Sequence, residues 1–251
     1  KSGQTDAALF AALATVAAPR LDSFKAQELA NVAWAFATAG HTEPALFKAL
    51  GEMVEVRLDE FSVQGLTNTA WAFAKVGVVD TPLFRAMGRM AQQRVGAFNA
   101  QDLAHTAWAF AKSNQYDAEL FAVLAKATER YWDQFNAQGL ANTVWAFAKA
   151  GLLDTALFEA CAAAIARRLS EFNAQDLANT AWAFAKACHL DAHLFEQVSR
   201  ASLRCLAEFN TQDLVNTAWA FAKLGHADRP LFAAVARALS PARLDELNAP
   251  Q

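Results

Sequence analysis

Apolar positions along the chain fall into two helical patterns that alternate from end to end. In the segment opening at Phe98, the residues Leu103, Ala107, Phe110 and Ala111 follow the i, i+4, i+7, i+8 spacing of one helix face. A second run, from Leu120 and Phe121 through Leu124, Ala127 and Tyr131, is again helix-spaced. Polar residues punctuate both. The first helix is predicted to begin after Asn99, Asn136, Asn173 or Asn210, whose side chains can cap a helix start. Asp102, Asp176 and Asp213 follow three positions later, where an acid suits the positive helix end. Lys75, Lys112, Lys149, Lys186 and Lys223 fall in the predicted last turn, and Gly40, Gly77, Gly151 and Gly225 come two positions after that column as stops. The second helix is predicted to start at Asp6, Glu43, Asp80, Asp117, Asp154, Asp191 and Asp228, with Pro44, Pro82 and Pro230 just inside.

The pair repeats every 37 residues, marked by Trp34, Trp71, Trp108, Trp145, Trp182 and Trp219. All 19 phenylalanines occupy three columns of this register. One runs Phe24, Phe61, Phe98, Phe135, Phe172, Phe209; the second Phe36, Phe73, Phe110, Phe147, Phe184, Phe221; the third Phe10, Phe47, Phe84, Phe121, Phe158, Phe195, Phe232. Two short helices cannot bury their apolar faces alone, so neighbouring units must stack. The predicted fold is an all-α solenoid of helical hairpins over residues 1–251: a partial repeat at 1–23, six repeats across 24–245, and the start of another at 246–251. Lys1 to Asp6 align with Lys149 to Asp154, and Leu247-Asn248-Ala249 resembles a repeat opening, so the chain is expected to be a stretch of a longer array.

Composition narrows the class. With 55% apolar and 19% charged residues the chain is too apolar for disorder, and no uninterrupted apolar run reaches the roughly 18 residues of a membrane span. The net charge of −3 weighs against a purely electrostatic nucleic-acid binder while leaving room for a local basic stripe. Three cysteines without a C-x-x-C pair favour a reducing compartment over a disulfide framework. Nucleotide-loop, zincin and nucleophile-elbow motifs are missing, so no catalytic residue, metal or cofactor is expected. His189 and His193 straddle a turn with Asp191 between them, and no further ligand set accompanies them.

One polar stripe repeats on the first helix. It reads Gln27, Asn31, Ala35, Thr38; Gln64, Asn68, Ala72, Lys75; Gln101, His105, Ala109, Lys112; Gln138, Asn142, Ala146, Lys149; Gln175, Asn179, Ala183, Lys186; and Gln212, Asn216, Ala220, Lys223. Amides can pair with splayed base edges, ammonium groups can follow a phosphate chain, and the alanines leave room for a flat ligand. The same residues could equally form a hydrogen-bonded ladder between helices, with the lysines answering the helix dipole. The threonine column (Thr69, Thr106, Thr143, Thr180, Thr217) is expected to bond the preceding turn. The tryptophan column, flanked by alanines, is expected in the core, as is Trp132.

The 37-residue unit with F-N-A-Q-D-L-A-N-T-A-W-A-F-A-K resembles the heptatricopeptide and octotricopeptide repeat proteins, its length suiting the former. That resemblance, over essentially the whole chain, implies a solenoid that binds single-stranded RNA in organellar RNA maturation, stability or translation, in chloroplast or mitochondrion. Nucleotide contacts are implied on the first helix of each unit, the stripe read above. The Gln column is uniform and the Asn column changes only at His105, so weak sequence preference or a preference for a repetitive sequence is expected, with Glu28, Gly65, Asp102, Gly139, Asp176 and Asp213 as the main place for discrimination. The alternative is a protein-binding scaffold, such as a subunit of an organellar ribosome. It draws on the acidic balance and on variable second helices, where Arg85, Arg89 and Arg94 stand against Glu52, Glu55, Asp59 and Glu60.

Overall fold

The structure, a computed structural model, describes residues 7–239; the predicted cap at Asp6 and both terminal matches to the repeat lie outside them. Among the described residues there are thirteen α-helices and no strand. In chain order they are α1 (Ala7–Ala17), α2 (Ala26–Ala39), α3 (Pro44–Val56), α4 (Val63–Val76), α5 (Thr81–Arg94), α6 (Ala100–Lys112), α7 (Ala118–Thr128), α8 (Ala137–Ala150), α9 (Thr155–Arg168), α10 (Ala174–Lys186), α11 (Ala192–Arg204), α12 (Thr211–Lys223) and α13 (Arg229–Ala238). No helix among them is long and apolar enough to cross a membrane.

Two compact units divide the chain, Lys1–Thr128 and Glu129–Gln251. In the first, α2, α4 and α6 lie side by side in one layer, and α1, α3, α5 and α7 succeed one another in a second. In the second unit α8, α10 and α12 form the first layer, and α9, α11 and α13 the other. Each even-numbered helix also packs on the odd-numbered helix that follows it, so each unit is an α-solenoid of stacked hairpins.

The caps sit where the sequence places them. Asn99, Asn136, Asn173 and Asn210 accept hydrogen bonds from the backbone N–H three residues on, and Asp102, Asp176 and Asp213 return the bond to the capping residue's own N–H. Asp80, Asp117, Asp154, Asp191 and Asp228 cap the second helices in the same way. At the far end, Gly40, Gly77, Gly151 and Gly225 take the left-handed conformation. Asn114 and Cys188, at the equivalent positions, adopt it without being glycine. The residue after each of these six donates its N–H to the carbonyl of Phe36, Phe73, Phe110, Phe147, Phe184 or Phe221, closing the helix end.

The phenylalanine columns form the core, buried except at Phe10, Phe24 and Phe232. Rings of the third column meet those of the second column one hairpin later, edge to face: Phe47 and Phe73 at 5.3 Å, Phe84 and Phe110 at 5.3 Å, Phe158 and Phe184 at 5.2 Å. This contact joins α3 to α4, α5 to α6 and α9 to α10, which explains why the columns share one period. Short 3₁₀ turns, absent from the sequence reading, follow most second helices, for example Leu58–Glu60 and Leu169–Glu171. They deliver the first column, Phe61 and Phe172, into the core.

Candidate nucleic-acid interface

Helix geometry decides which side chains share the solvent face. At about 100° per residue, positions i+4, i+7 and i+11 lie within about 40° of i, whereas i+8 lies about 80° away. Counted from glutamine, the exposed stripe is therefore Gln, Asn, Trp, Lys, and the alanine turns inward. The structure bears this out. Gln64, Gln101, Gln138, Gln175 and Gln212 are exposed, as are Lys75, Lys112, Lys186 and Lys223. Lys149, Asn68, His105, Asn142, Asn179 and Asn216 are half-buried. Gln27 and Asn31 are exposed on α2. Ala72, Ala109, Ala146, Ala183 and Ala220 are wholly buried, so they leave no room for a ligand; only Ala35 is exposed.

The tryptophans overturn the core expectation. Trp34 and Trp219 are 43% and 40% exposed, and Trp71, Trp108, Trp145 and Trp182 are half-buried. The i, i+7 spacing from glutamine was the signal for this placement; the flanking alanines Ala104, Ala107 and Ala111 are buried while the indole of Trp108 stays partly exposed. Trp132 is also only half-buried, its ring 5.8 Å from that of Phe135. In the first unit the stripe rings form a tilted ladder, Trp34 to Trp71 at 6.5 Å and Trp71 to Trp108 at 6.2 Å; in the second, Trp145 and Trp182 are 6.2 Å apart. Interplanar angles are 33–38°. Lysine one turn later covers an indole: Lys75 Nζ lies 5.2 Å from the Trp71 ring, Lys149 Nζ 4.8 Å from Trp145, and Lys223 Nζ 5.3 Å from Trp219. His105 joins the ladder, its ring stacked 5.8 Å from Trp71. Burial pushes its imidazole below the ordinary range, against the pull of the nearby Asp102 carboxylate.

The amides do not build a ladder between helices within either unit. Gln212 Nε2 donates to Asn216 Oδ1 at 2.8 Å, one turn along the same helix. The acid column proposed for discrimination is withdrawn from solvent: Gly65, Asp102, Gly139, Asp176 and Asp213 are buried and only Glu28 is exposed. The aspartates are spent on capping, and Asp102 Oδ1 also accepts from Thr67 Oγ1 at 2.9 Å, tying α6 to α4. Burial raises the Asp176 and Asp213 carboxyls despite the bonds from Asn173 and Asn210. Thr69 bonds the Gly65 carbonyl as predicted, but Thr106, Thr143, Thr180 and Thr217 hydroxyls are buried without a partner.

Charge is thereby segregated. The first helices carry Lys75, Lys112, Lys149, Lys186 and Lys223, while their only exposed carboxylate is Glu28. The net charge of −3 conceals a basic, aromatic and amide-lined face in each unit. Open clefts of about 430 Å³ beside Arg85 and Tyr116, and about 380 Å³ beside Trp132 and Arg167, contain no stripe residue. His189 packs on Phe158 and Phe184 while His193 lies against Gln197, so the two imidazoles have separate surroundings. Among the described residues no group of three or more His, Cys, Asp or Glu is placed to hold a metal.

A second set of contacts escaped the sequence reading. Arg57 and Arg94 donate to the carbonyls of Phe24 and Phe61, each at 2.5 Å, and Arg168 donates to that of Phe135. Each guanidinium reaches from the end of a second helix to the start of its own hairpin's first helix. Arg57 and Arg168 also pair with Glu60 and Glu171. The 37-residue spacing of these arginines was a readable signal.

Fold and stripe together define a helical-hairpin repeat protein with an exposed polar and aromatic first-helix face. Residues 2–247 match the family described as RNA-editing substrate-binding complex 6 protein, and the chain belongs to that family. This is an RNA-related helical family, as the resemblance implied, though not the heptatricopeptide or octotricopeptide family by name. No curated protein matches the chain.

Proposed function

We propose that the chain binds single-stranded RNA along the first-helix stripe of each unit, through Gln27, Asn31, Gln64, Asn68, Lys75, Gln101, His105 and Lys112 in the first, and Gln138, Asn142, Lys149, Gln175, Asn179, Lys186, Gln212, Asn216 and Lys223 in the second. The observation that carries this reading is the segregation of exposed lysine and amide side chains onto a face whose carboxylates, Glu28 apart, are buried in helix caps. Ammonium groups on one period suit a phosphate chain, and amides within reach can meet unstacked base edges. The family's name, a protein of an RNA-editing substrate-binding complex, supports an RNA partner within a protein assembly. We place its role in organellar RNA maturation, stability or translation, in mitochondrion or chloroplast, and read it as a binding module without catalysis of its own. A uniform Gln column and an Asn column that changes only at His105, with every member of the variable acid column but Glu28 buried, support weak sequence preference or a preference for a repetitive sequence.

Fluorescence anisotropy with short labelled homopolymeric RNAs tests this. Binding should weaken steeply with salt and diminish when Lys75, Lys112, Lys149 and Lys186 become alanine. Absence of binding at low salt would transfer the stripe to the scaffold reading, with proteins as the only partners.

A further inference from the structure

The amides and lysines account for edge and phosphate contacts, but not for large aromatic rings kept half-exposed on the same stripe. Burying an indole is favourable, and helix positions one residue away, at the alanine column, are fully buried. Those positions leave no room for a ring, so the indole stands on the solvent-facing stripe, where stability alone would be served as well by a smaller side chain. The rings stand at 6.2–6.5 Å from one another; Trp71, Trp145 and Trp182 each lie between a half-buried asparagine one turn before and a lysine one turn after, and Trp108 lies between His105 and Lys112.

We propose that these indoles are stacking platforms for the bases of a single RNA strand, one base to a ring, in each unit. The inference rests on the RNA-binding reading above and adds what holds the bases. The ring spacing is nearly twice the stacking rise of about 3.4 Å between neighbouring bases, so the bound strand is stretched, with its own base stacking broken. Its bases then turn one face to a ring and an edge to Gln and Asn. Lysine supplies the exchange: in the free protein an ammonium covers Trp71, Trp145 and Trp219. An arriving base takes that face, and the lysine swings to the phosphate. Every base has a π face, so this contact tolerates any sequence and excludes duplex RNA.

The test uses the whole chain, intrinsic tryptophan fluorescence and anisotropy, and three probes: homopolymeric adenylate, homopolymeric uridylate, and an abasic strand of equal length and charge. Expected are quenching by both homopolymers and an abasic strand binding at least about tenfold more weakly. Trp71→Leu with Trp108→Leu, with folding checked by circular dichroism, should lower homopolymer affinity and leave abasic affinity unchanged. Equal affinity for abasic and natural strands without quenching would overturn stacking and leave RNA binding standing on phosphate contacts. No binding of any strand at low salt would overturn both.

Discussion

Lys75 lies one helical turn beyond Trp71, with its ammonium 5.2 Å from the indole centroid, and the same pair recurs as Lys149 on Trp145 and Lys223 on Trp219. The i, i+4 separation puts both on one face, and the lysine belongs to the last turn, where the helix dipole also favours it. The pair is therefore locally satisfied and still open to solvent. Such a contact stabilises by only about 0.5–1 kcal/mol at an exposed site, too little to fix a tryptophan at the surface for stability alone.

Lys75→Ala should consequently lower stability by less than about 1 kcal/mol while weakening RNA binding. The logarithmic dependence of affinity on salt should become shallower by about 0.7 for each lysine removed. Parallel urea titrations and salt-series anisotropy check both halves. A change in affinity with an unchanged slope would remove lysine from the phosphate contacts.

Arg94 predicts a stability effect unconnected with RNA. Its guanidinium holds the Phe61 carbonyl, and it also donates to the Asp59 carbonyl at 3.1 Å. Arg94→Met keeps the stem but leaves the Phe61 carbonyl without its charged donor, at a cost of about 1–2 kcal/mol by urea denaturation. Cys205 occupies the equivalent position in a later repeat and has Glu208 three residues on, as Arg57 has Glu60. Cys205→Arg should reach both the Phe172 carbonyl and Glu208, raising stability by about 1 kcal/mol. A loss instead would mean that the half-buried Cys205 site cannot admit the longer stem.

How far the sequence carries can be judged from particular residues. Asn99, Asp80 and Gly77 act within a few residues of themselves, so caps and stops follow from local chemistry and were legible. The phenylalanine columns were legible because a period shared by every member has a single packing explanation. Trp71 defies the core expectation because flanking alanines suggest a pocket for the ring, whereas angular position puts Ala72 in the core and Trp71 on the partly exposed stripe, where it meets Trp34 and Trp108. The fate of Asp102 was half legible: its cap role is local, but its bond from Thr67 on α4 depends on tertiary packing that no spacing reveals. The arginine staples recur on the 37-residue spacing, but that they meet the Phe24, Phe61 and Phe135 carbonyls depends on how the two helices of a hairpin pack.

Gly51 and Gly88 share a position on successive second helices and face the same phenylalanine column, yet they should respond unequally to alanine. A Cβ on Gly51 would meet Phe73 Cε1 at 3.6 Å, an ordinary contact. On Gly88 it would meet Phe110 Cε1 at 3.1 Å, with that ring fixed edge to face on Phe84. Gly51→Ala should therefore gain about 0.5–1 kcal/mol from helix propensity. Gly88→Ala should gain less or lose, because the Phe110 ring must shift within a close-packed core. Thermal unfolding of both variants would show it, and equal gains would mean that Phe110 moves without cost.

His105 gives the fold a pH dependence of known sign. It stands where other repeats have Asn68, Asn142, Asn179 and Asn216, its ring stacked on Trp71 and its Nδ1 buried without a partner. Burial lowers its affinity for a proton below the ordinary value of 6.5, and the Asp102 carboxylate offsets only part of that. The folded state thus holds the proton less readily than the unfolded chain. Stability from this group is present above pH 6.5 and is lost as pH falls through the lowered value. His105→Asn restores the side chain of the column and removes the titration. Urea midpoints at about pH 7.5 and about pH 5.5 should therefore separate wild type from variant more at acid pH, in favour of the variant. An identical difference at both values would show that the imidazole gains a proton in the fold as easily as in the unfolded chain.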